Sequence, residues 1–346
     1  MNYFMGDGKK KVSVLIPCRN EVHYIERCIR NAYDFDAPKG GFEVIVIEGM
    51  SDDGTRDVLF RIKEQSYSNL IMIDNPLRIV PHAMNLGIKN AGGDFIVRID
   101  VRCIHPKSYL IDLMELIEET KADNVGGVLS PIGGNTYTER SIALAYKSRI
   151  AMGGALRERD GFVGETDTVY GGCFKRERLI EVGLYDEEMV RNQDDELSFR
   201  IREKGGKIIQ SSKIRIQYQP RKYFQPLFKQ FLQYGYWKVA VIKKHPQQAS
   251  IRHFLPSMLI LGFIILGLYS PLHAYIFAGF IVYVGSYIIA VGLESLRIAF
   301  KRGVQFWPGV WVAICFIHLG FGLGFLLNII CRIFGVKIKW FETLSR

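Results

Sequence analysis

A run of overwhelmingly apolar sequence occupies about residues 254 to 334, and it limits what this chain can become more than any other feature. Within it Phe254 to Tyr269, Leu272 to Leu293 and about Pro308 to Arg332 are each long enough to approach or span the hydrocarbon core of a bilayer. Ser270-Pro271 separates the first two, and Glu294 to Gly303, with Arg297, Lys301 and Arg302, is the one charged interruption. The chain is therefore expected to be a multi-pass membrane protein with about three helices in its tail. The preceding residues are ordinary globular sequence with no apolar run ahead of them to carry them across a bilayer, so they are expected in the cytosol.

Charge points the same way. The net charge of +10 could signal nucleic acid, but no basic run interleaves with exposed aromatics in the globular part. Much of the excess lies close to the apolar tail, at Lys213, Arg215, Arg221, Lys222, Lys229, Lys238, Lys243 and Lys244, where anionic lipid attracts it. Membrane lipid is thus an expected partner and nucleic acid is not. The six cysteines have neither paired nor zinc-like spacing, which fits buried thiols in a reducing compartment.

The globular part alternates strand and helix patterns. Strands are expected at Val12 to Pro17, Phe42 to Ile47, Leu70 to Ile73 and Phe95 to Asp100. Helices are expected at about Glu21 to Tyr33, from Asp52-Asp53-Gly54-Thr55 through Glu64, at Val80 to Asn90 and at Tyr109 to Thr120. This alternation predicts an α/β fold with a mostly parallel, doubly wound sheet and flanking helices. No GxGxxG or Walker sequence occurs, which argues against a standard dinucleotide or P-loop site.

Acids and amides collect where these strands end. Pro17-Cys18-Arg19-Asn20-Glu21 closes the first, Glu48 the second, Asn75 the third and Asp100 the fourth. One polar residue after a strand is a turn former, whereas four at one edge of a parallel sheet outline a binding crevice. An acidic edge repels phosphate unless a divalent cation intervenes. With Arg19, Arg78, Arg98 and Arg102 nearby, the expected ligand is a nucleotide diphosphate with Mg²⁺ or Mn²⁺ held at Asp100.

Further along, Gly153-Gly154 and the run Arg157 to Asp160 suggest a mobile loop over the crevice. Gly171-Gly172 follows Thr168-Val169-Tyr170 and would let a substrate approach the backbone closely, or mark a bulge. Arg191-Asn192-Gln193-Asp194-Asp195-Glu196-Leu197 opens a helix running to Lys204. Acids in a first turn complement the macrodipole, but three in succession exceed what capping requires. Short strands are expected at Lys207 to Gln210 and Lys213 to Gln217. Tyr223 to Lys244 then interleaves Phe224, Phe228, Phe231, Tyr234 and Trp237 with lysines, the pattern of an amphipathic helix at the headgroup boundary or docked on the globular domain. The expected domains are a globular unit over 1–220, an interfacial helix over 221–250 and a transmembrane region over 251–346.

In this order the motifs resemble those of the inverting family-two glycosyltransferases. Val14-Leu15-Ile16-Pro17-Cys18-Arg19-Asn20-Glu21 is similar to their "IPxxNE" nucleotide strand, and Val46 to Thr55 to their "DDGSxDGT" segment, with Glu48 and Asp53 at the two acids. Arg98-Ile99-Asp100-Val101-Arg102 falls on the "DxD" metal motif, with Arg102 in place of the second acid. Gln193-Asp194-Asp195-Glu196-Leu197 falls on the "ED" segment, and Gln233-Tyr234-Gly235-Tyr236-Trp237 on "QxxRW", with Tyr236 in the arginine's place. The subgroup it most resembles is the succinoglycan-type membrane glucosyltransferases of bacterial exopolysaccharide assembly, through Arg98-Ile99-Asp100, Asp167-Thr168-Val169 with Gly171, and Asn192 to Leu197.

The resemblance implies a GT-A fold and a nucleotide-sugar donor, a UDP-sugar. It implies a lipid-linked saccharide acceptor at the cytoplasmic face of a bacterial inner membrane. Asp194 becomes the catalytic base. Pro17, Arg19, Asn20, Glu21, Glu48, Asp53, Arg78, Arg98, Asp100 and Arg102 become the donor site, with Asp100 as metal ligand. Gly171, Gly172, Asp195, Gln233 and Trp237 become the acceptor site. The missing arginine of "QxxRW" argues against processive polymer synthesis. A polyprenyl-phosphate monosaccharide transferase and a non-catalytic membrane scaffold are the alternative readings.

Overall fold

The computed structural model describes residues 11–152 and 161–342, so the loop expected at Gly153-Gly154 and Arg157 to Asp160 lies outside the described residues. They form two compact units, one from 11–130 with 161–218 and one from 131–152 with 219–342.

The first unit is built on a nine-stranded sheet. In chain order the strands are β1 (Val12–Cys18), β2 (Phe42–Glu48), β3 (Ile71–Asp74), β4 (Phe95–Arg98), β5 (Cys103–Ile104), β6 (Asn124–Pro131), β7 (Val163–Glu165), β8 (Tyr170–Lys175) and β9 (Ile208–Tyr218). Their order is β3-β2-β1-β4-β8-β6-β9-β5, with β7 beside β9. The first four pair parallel, as their continuous apolar runs lead one to expect. From β4 onward the pairings β4–β8, β6–β8, β5–β9 and β7–β9 are antiparallel, so the sheet is mixed. The sequence hid this because short β-branched runs carry no sign of strand direction. It also split β9 in two at Ser211-Ser212, whose side chains are buried within one continuous strand.

Alternation along each strand feeds two cores. Val12, Val14, Ile16, Val44, Val46 and Val97 face the helices Ile25–Tyr33, Thr55–Gln65 and Tyr109–Thr120. Leu15, Ile45, Ile47 and Ile96 face Val80–Asn90, Arg176–Glu181 and Gln193–Glu203. The result is three layers, helix on sheet on helix. Gly87 permits a close helix-to-sheet approach, since a Cβ there would stand 2.8 Å from Leu15 Cδ1 and 3.0 Å from Ile47 Cδ1.

The second unit is helical. Ile251–Leu272, Ala274–Arg302 and Val304–Ile333 are long and apolar enough to cross a membrane. The charged stretch expected to interrupt them continues the second helix to Arg302, with Glu294 held by Arg297 (2.7 Å) and by the Arg149 N–H (2.8 Å). The third helix is the most enclosed, because Phe224–Lys244 packs along it through bare α-carbons. A Cβ on Gly235 would stand 1.9 Å from the Phe321 carbonyl, and one on Gly324 1.9 Å from that of Leu232. Small residues let helix backbones approach this closely in lipid. The helix expected to lie on the headgroups thus rests one face on a membrane-length helix, with Lys238 buried and Lys229, Lys243 and Lys244 exposed. Residues 131–152 join this unit through the helix Tyr137–Ala145, whose Tyr137 hydroxyl donates to the Gln305 carbonyl (3.0 Å) and accepts from the Gly309 N–H (3.0 Å).

Candidate active site

Register brings the strand ends level. Cys18 lies beside Glu48, and Glu48 beside Asp74, while Leu15 lies beside Arg98. After β3 the chain returns to the far side of β1, so the strand order reverses between β1 and β4, where open α/β sheets bind ligands. Left-handed residues follow three of these strands: Asn20 (φ 53°), Met50 (φ 53°) and Arg78 (φ 62°). Strained backbone of this kind is kept where the surroundings over-determine it.

The β1 and β2 loops are laced together. Asn20 Nδ2 donates to Asp52 Oδ1 (2.9 Å), and the Asp52 N–H returns to Asn20 Oδ1 (3.1 Å). Asp53 accepts the N–H groups of Val22 (3.1 Å) and of Thr55 (3.0 Å), the first residue of the helix Thr55–Gln65. Burial acts against the Asp53 carboxylate, but the Thr55 hydroxyl and these N–H groups prevail and hold it below the usual range. Glu48 is fully buried and accepts the N–H groups of Met50 (3.0 Å) and Ser51 (2.8 Å) together with Arg56 Nη1. The carboxylate expected to contact the nucleoside is thus enclosed by its own loop and by Arg56. Pro17 is buried within β1, Arg19 runs across Gly49, and Arg78 is exposed in the turn after Asn75.

Across the switch point, Arg102 Nε donates to both oxygens of the buried Glu21 (3.2 and 3.0 Å), and its guanidinium lies 4.9 Å over the Tyr24 ring. Arg102 keeps 27% of its side chain exposed against 3% for Glu21. Arg102 is thus the more open member of this pair.

The two carboxylates assigned to chemistry converge. Arg98, at the end of β4 with only 7% of its side chain exposed, donates through Nε to Asp100 Oδ1 (3.0 Å) and through Nη1 to Asp194 Oδ1 (2.6 Å). A second contact runs from Nη2 to Asp100 Oδ2 (3.4 Å). Arg98, expected to meet the donor, here directs three N–H contacts at two acids. Tyr170, the first residue of β8, donates to Asp100 Oδ2 (2.6 Å), a partner that only the antiparallel β4–β8 register could reveal. Burial pushes the Asp194 carboxyl above the usual range; Arg98 opposes this, while Asp100 and Asp195 add to it. Burial also works against the charge of Arg98, but Asp100 and Asp194 outweigh it and lift that group above the ordinary arginine range.

The helix carrying Asp194 runs from Gln193 to Glu203, with Asn192 left-handed (φ 58°) at its start. Its three acids differ in employment. Glu196 is buried and clasped by Arg200 Nε and Nη2 (2.7 Å each), Asp194 meets Arg98, and Asp195 is half-buried. Gly171 (φ +66°) and Gly172 (φ +82°) need glycine for conformation, and a Cβ would stand 2.8 Å from the Arg98 carbonyl at the first and 2.5 Å from Asn124 Oδ1 at the second. The close approach they permit is therefore made by this protein's own groups. Gln233 and Trp237 belong to the second unit, where Gln233 is buried and the Trp237 indole donates to the Phe341 carbonyl (3.1 Å). Tyr236, in the place of the "QxxRW" arginine, stacks on the Phe341 ring at 3.8 Å.

Among the described residues no group of three His, Cys, Asp or Glu side chains could hold a metal alone. Asp100, with 29% of its side chain exposed, fits the other arrangement, in which one carboxylate shares a cation with substrate phosphates and water. A cavity of about 490 Å³ lined by Asp94, Lys121, Lys175 and Arg176 opens at the opposite end of β4, away from all of these groups, so volume is no guide to the chemistry.

With this geometry in view, comparison with known proteins is decisive about kinship. The model of glycosyl transferase family 2 matches residues 13–183. The chain is similar to the succinoglycan biosynthesis protein ExoA of Rhizobium meliloti, 31% identical over 246 residues, which are 70% of this chain and 73% of that one. It is also similar to a dolichyl N-acetyl-α-D-glucosaminyl phosphate 3-β-D-2,3-diacetamido-2,3-dideoxy-β-D-glucuronosyltransferase of Methanococcus voltae, 26% identical over 92% of this chain and 97% of that one. Among solved structures, the mannosyltransferase PcManGT from Pyrobaculum calidifontis, in complex with GDP-Man and Mn²⁺, shares the fold with a TM-score of 0.58 at 18% identity, covering 90% of this chain and 87% of that one. The sheet is thus a GT-A fold followed by helices long and apolar enough to cross a membrane, and the chain belongs to glycosyltransferase family 2.

Proposed function

We propose that this glycosyltransferase moves a sugar, with inversion, from a nucleotide-diphosphate sugar, a UDP-sugar, to a saccharide carried on polyprenyl diphosphate. The work is done at the cytoplasmic face of the membrane, in exopolysaccharide or capsule assembly. The observation that carries the reading is the pair Asp100 and Asp194, 37% exposed at the latter, on one guanidinium at the carboxyl edge of the sheet. Asp194 takes the proton of the acceptor hydroxyl as its oxygen bonds to the sugar C1, and the bond from C1 to the diphosphate breaks with its electrons. Arg102 faces the departing charge, held in aim by Glu21 and Tyr24. A divalent cation held by Asp100 would neutralise the leaving diphosphate. Arg19, Asn20 and Arg78 contribute the rim of the donor crevice, and Glu48 and Asp53 keep its loops in shape. Asp195 and the Gly171-Gly172 turn are proposed to act on the acceptor side.

A polyprenyl-phosphate monosaccharide transferase is the nearest rival, because it would use the same donor chemistry. The Methanococcus voltae relative, a glycosyltransferase named for its dolichyl N-acetyl-α-D-glucosaminyl phosphate acceptor, favours an acceptor that already carries a sugar on its lipid. The test starts with thermal-shift screening of nucleotide sugars with and without Mn²⁺. Labelled donor is then offered to polyprenyl phosphate and to polyprenyl-diphosphate-linked saccharide. Label in the second product supports the reading, and label only in the first overturns the acceptor. Transfer lost in Asp194→Asn would exclude a non-catalytic scaffold, whereas unchanged biological function in that variant would favour one.

A further inference from the structure

A guanidinium as enclosed as that of Arg98 is costly to bury, and only well-aimed opposite charges make it tolerable. Arg98 has two, and they come from distant parts of the chain: Asp100 just beyond β4, and Asp194 on the helix Gln193–Glu203, 96 positions from Arg98. The planar fork lets one side chain bond Asp100 through Nε while Nη1 reaches Asp194, which a lysine ammonium at the end of a flexible stem cannot reproduce. Tyr170 grips Asp100 from a second strand, β8, so Asp100 is fixed from two directions and Asp194 is fixed relative to it.

We propose that Arg98 is a positioning residue of the transfer reaction. It ties the base on the helix to the donor-side carboxylate on the sheet, so that the acceptor oxygen meets C1 in line, and it does not itself bind the donor. The proposal rests on the roles given above to Asp100 and Asp194. It makes the spacing of the two half-sites a property of one side chain. Misplacing a reacting group by about 1 Å can cost roughly a hundredfold in rate.

The test compares the full-length chain with Arg98→Lys, Asp194→Asn and the double variant. Each is assayed for binding of UDP with Mn²⁺ by calorimetry and for transfer from the nucleotide sugar giving the largest thermal shift. The expected result is that Arg98→Lys binds UDP within about threefold of the parent while kcat falls about 100-fold. The double variant should be no slower than Asp194→Asn alone, because Arg98 acts through the base. More than tenfold loss of UDP binding in Arg98→Lys, with kcat kept at saturation, would make Arg98 a donor ligand and overturn the proposal. So would a double variant slower than Asp194→Asn by the full Arg98→Lys factor. Full transfer by Asp194→Asn would remove the base itself, a separate failure that takes this inference with it. If Arg98→Lys does not fold, Asp194→Glu, which keeps the carboxylate but moves it off the fork, carries the same question. Transfer lowered tenfold or more with UDP binding kept supports positioning, and transfer like the parent's overturns it.

Discussion

Two carboxylate clusters stand at the same edge of the sheet, and they are employed in opposite ways. Around β2, Glu48 is fully buried, its acceptors taken by loop N–H groups and Arg56, while Asp53 binds loop N–H groups and sits below the usual pKa range. Around β4, Asp100 and Asp194 keep 29% and 37% of their side chains exposed, share one guanidinium, and Asp194 sits above that range. The residue type is the same. What separates the two clusters is whether backbone N–H groups also satisfy the acid, and whether a flank stays open.

The sharpest way to break this comparison is to neutralise one acid from each cluster. Asp194→Asn should lower transfer by about a thousandfold, as removal of a general base does, and lower the melting temperature only by a few degrees, because the Asn carbonyl still accepts from Arg98 and Asp100 stays opposite the guanidinium. Glu48→Ala should do the reverse. It strands two N–H groups around a buried hole and leaves Arg56 paired with Asp74, costing about 3 kcal/mol of stability, read as a lowered melting temperature, while folded protein keeps its kcat. If Glu48→Ala instead abolishes transfer at unchanged stability, the division between clusters is wrong.

Acid titration separates the clusters less drastically. Asp194 must be ionised to accept a proton, and its pKa is raised, so kcat should fall with decreasing pH while the solution is still above the ordinary Asp range. Asp53 has a depressed pKa. Its stabilising contribution is fully present above the unfolded value and is lost only as pH falls through the lower folded one. Profiles of kcat and of melting temperature against pH should therefore part, with activity lost first. Coincident profiles would contradict the distinction.

The smallest effect is expected at Met50→Gly. Met50 holds φ 53° in the Glu48 loop, and glycine relieves that strain, offset by its greater freedom in the unfolded chain, for a net change within about 1 kcal/mol and no change in kcat. A large loss of transfer would mean that this loop does more than carry shape.

Much was legible in the linear pattern. The helices Val80–Asn90 and Tyr109–Thr120 have the expected ends, because their periodicity and flanking turn residues are local signals. Other features were not legible for a common reason. That Arg98 serves two acids, that Tyr170 reaches Asp100, and that Gly171 abuts the Arg98 carbonyl all depend on β8 running antiparallel to β4 and on a helix a hundred positions away. The helix Phe224–Lys244 read as amphipathic, yet which face is covered was set by Gly235, Gly320 and Gly324 meeting carbonyls of a partner helix.

Composition and periodicity by themselves determined that the chain divides into an α/β part and an apolar helical part, and that acids gather at the carboxyl ends of parallel strands. Hydrophobic burial and strand alternation act over a few residues, so they are written in short stretches of sequence. Which acid is sealed into a loop and which is left facing solvent was decided only in three dimensions. A carboxylate's desolvation and its counter-charge come from whatever the fold packs around it, and those neighbours are remote in the chain.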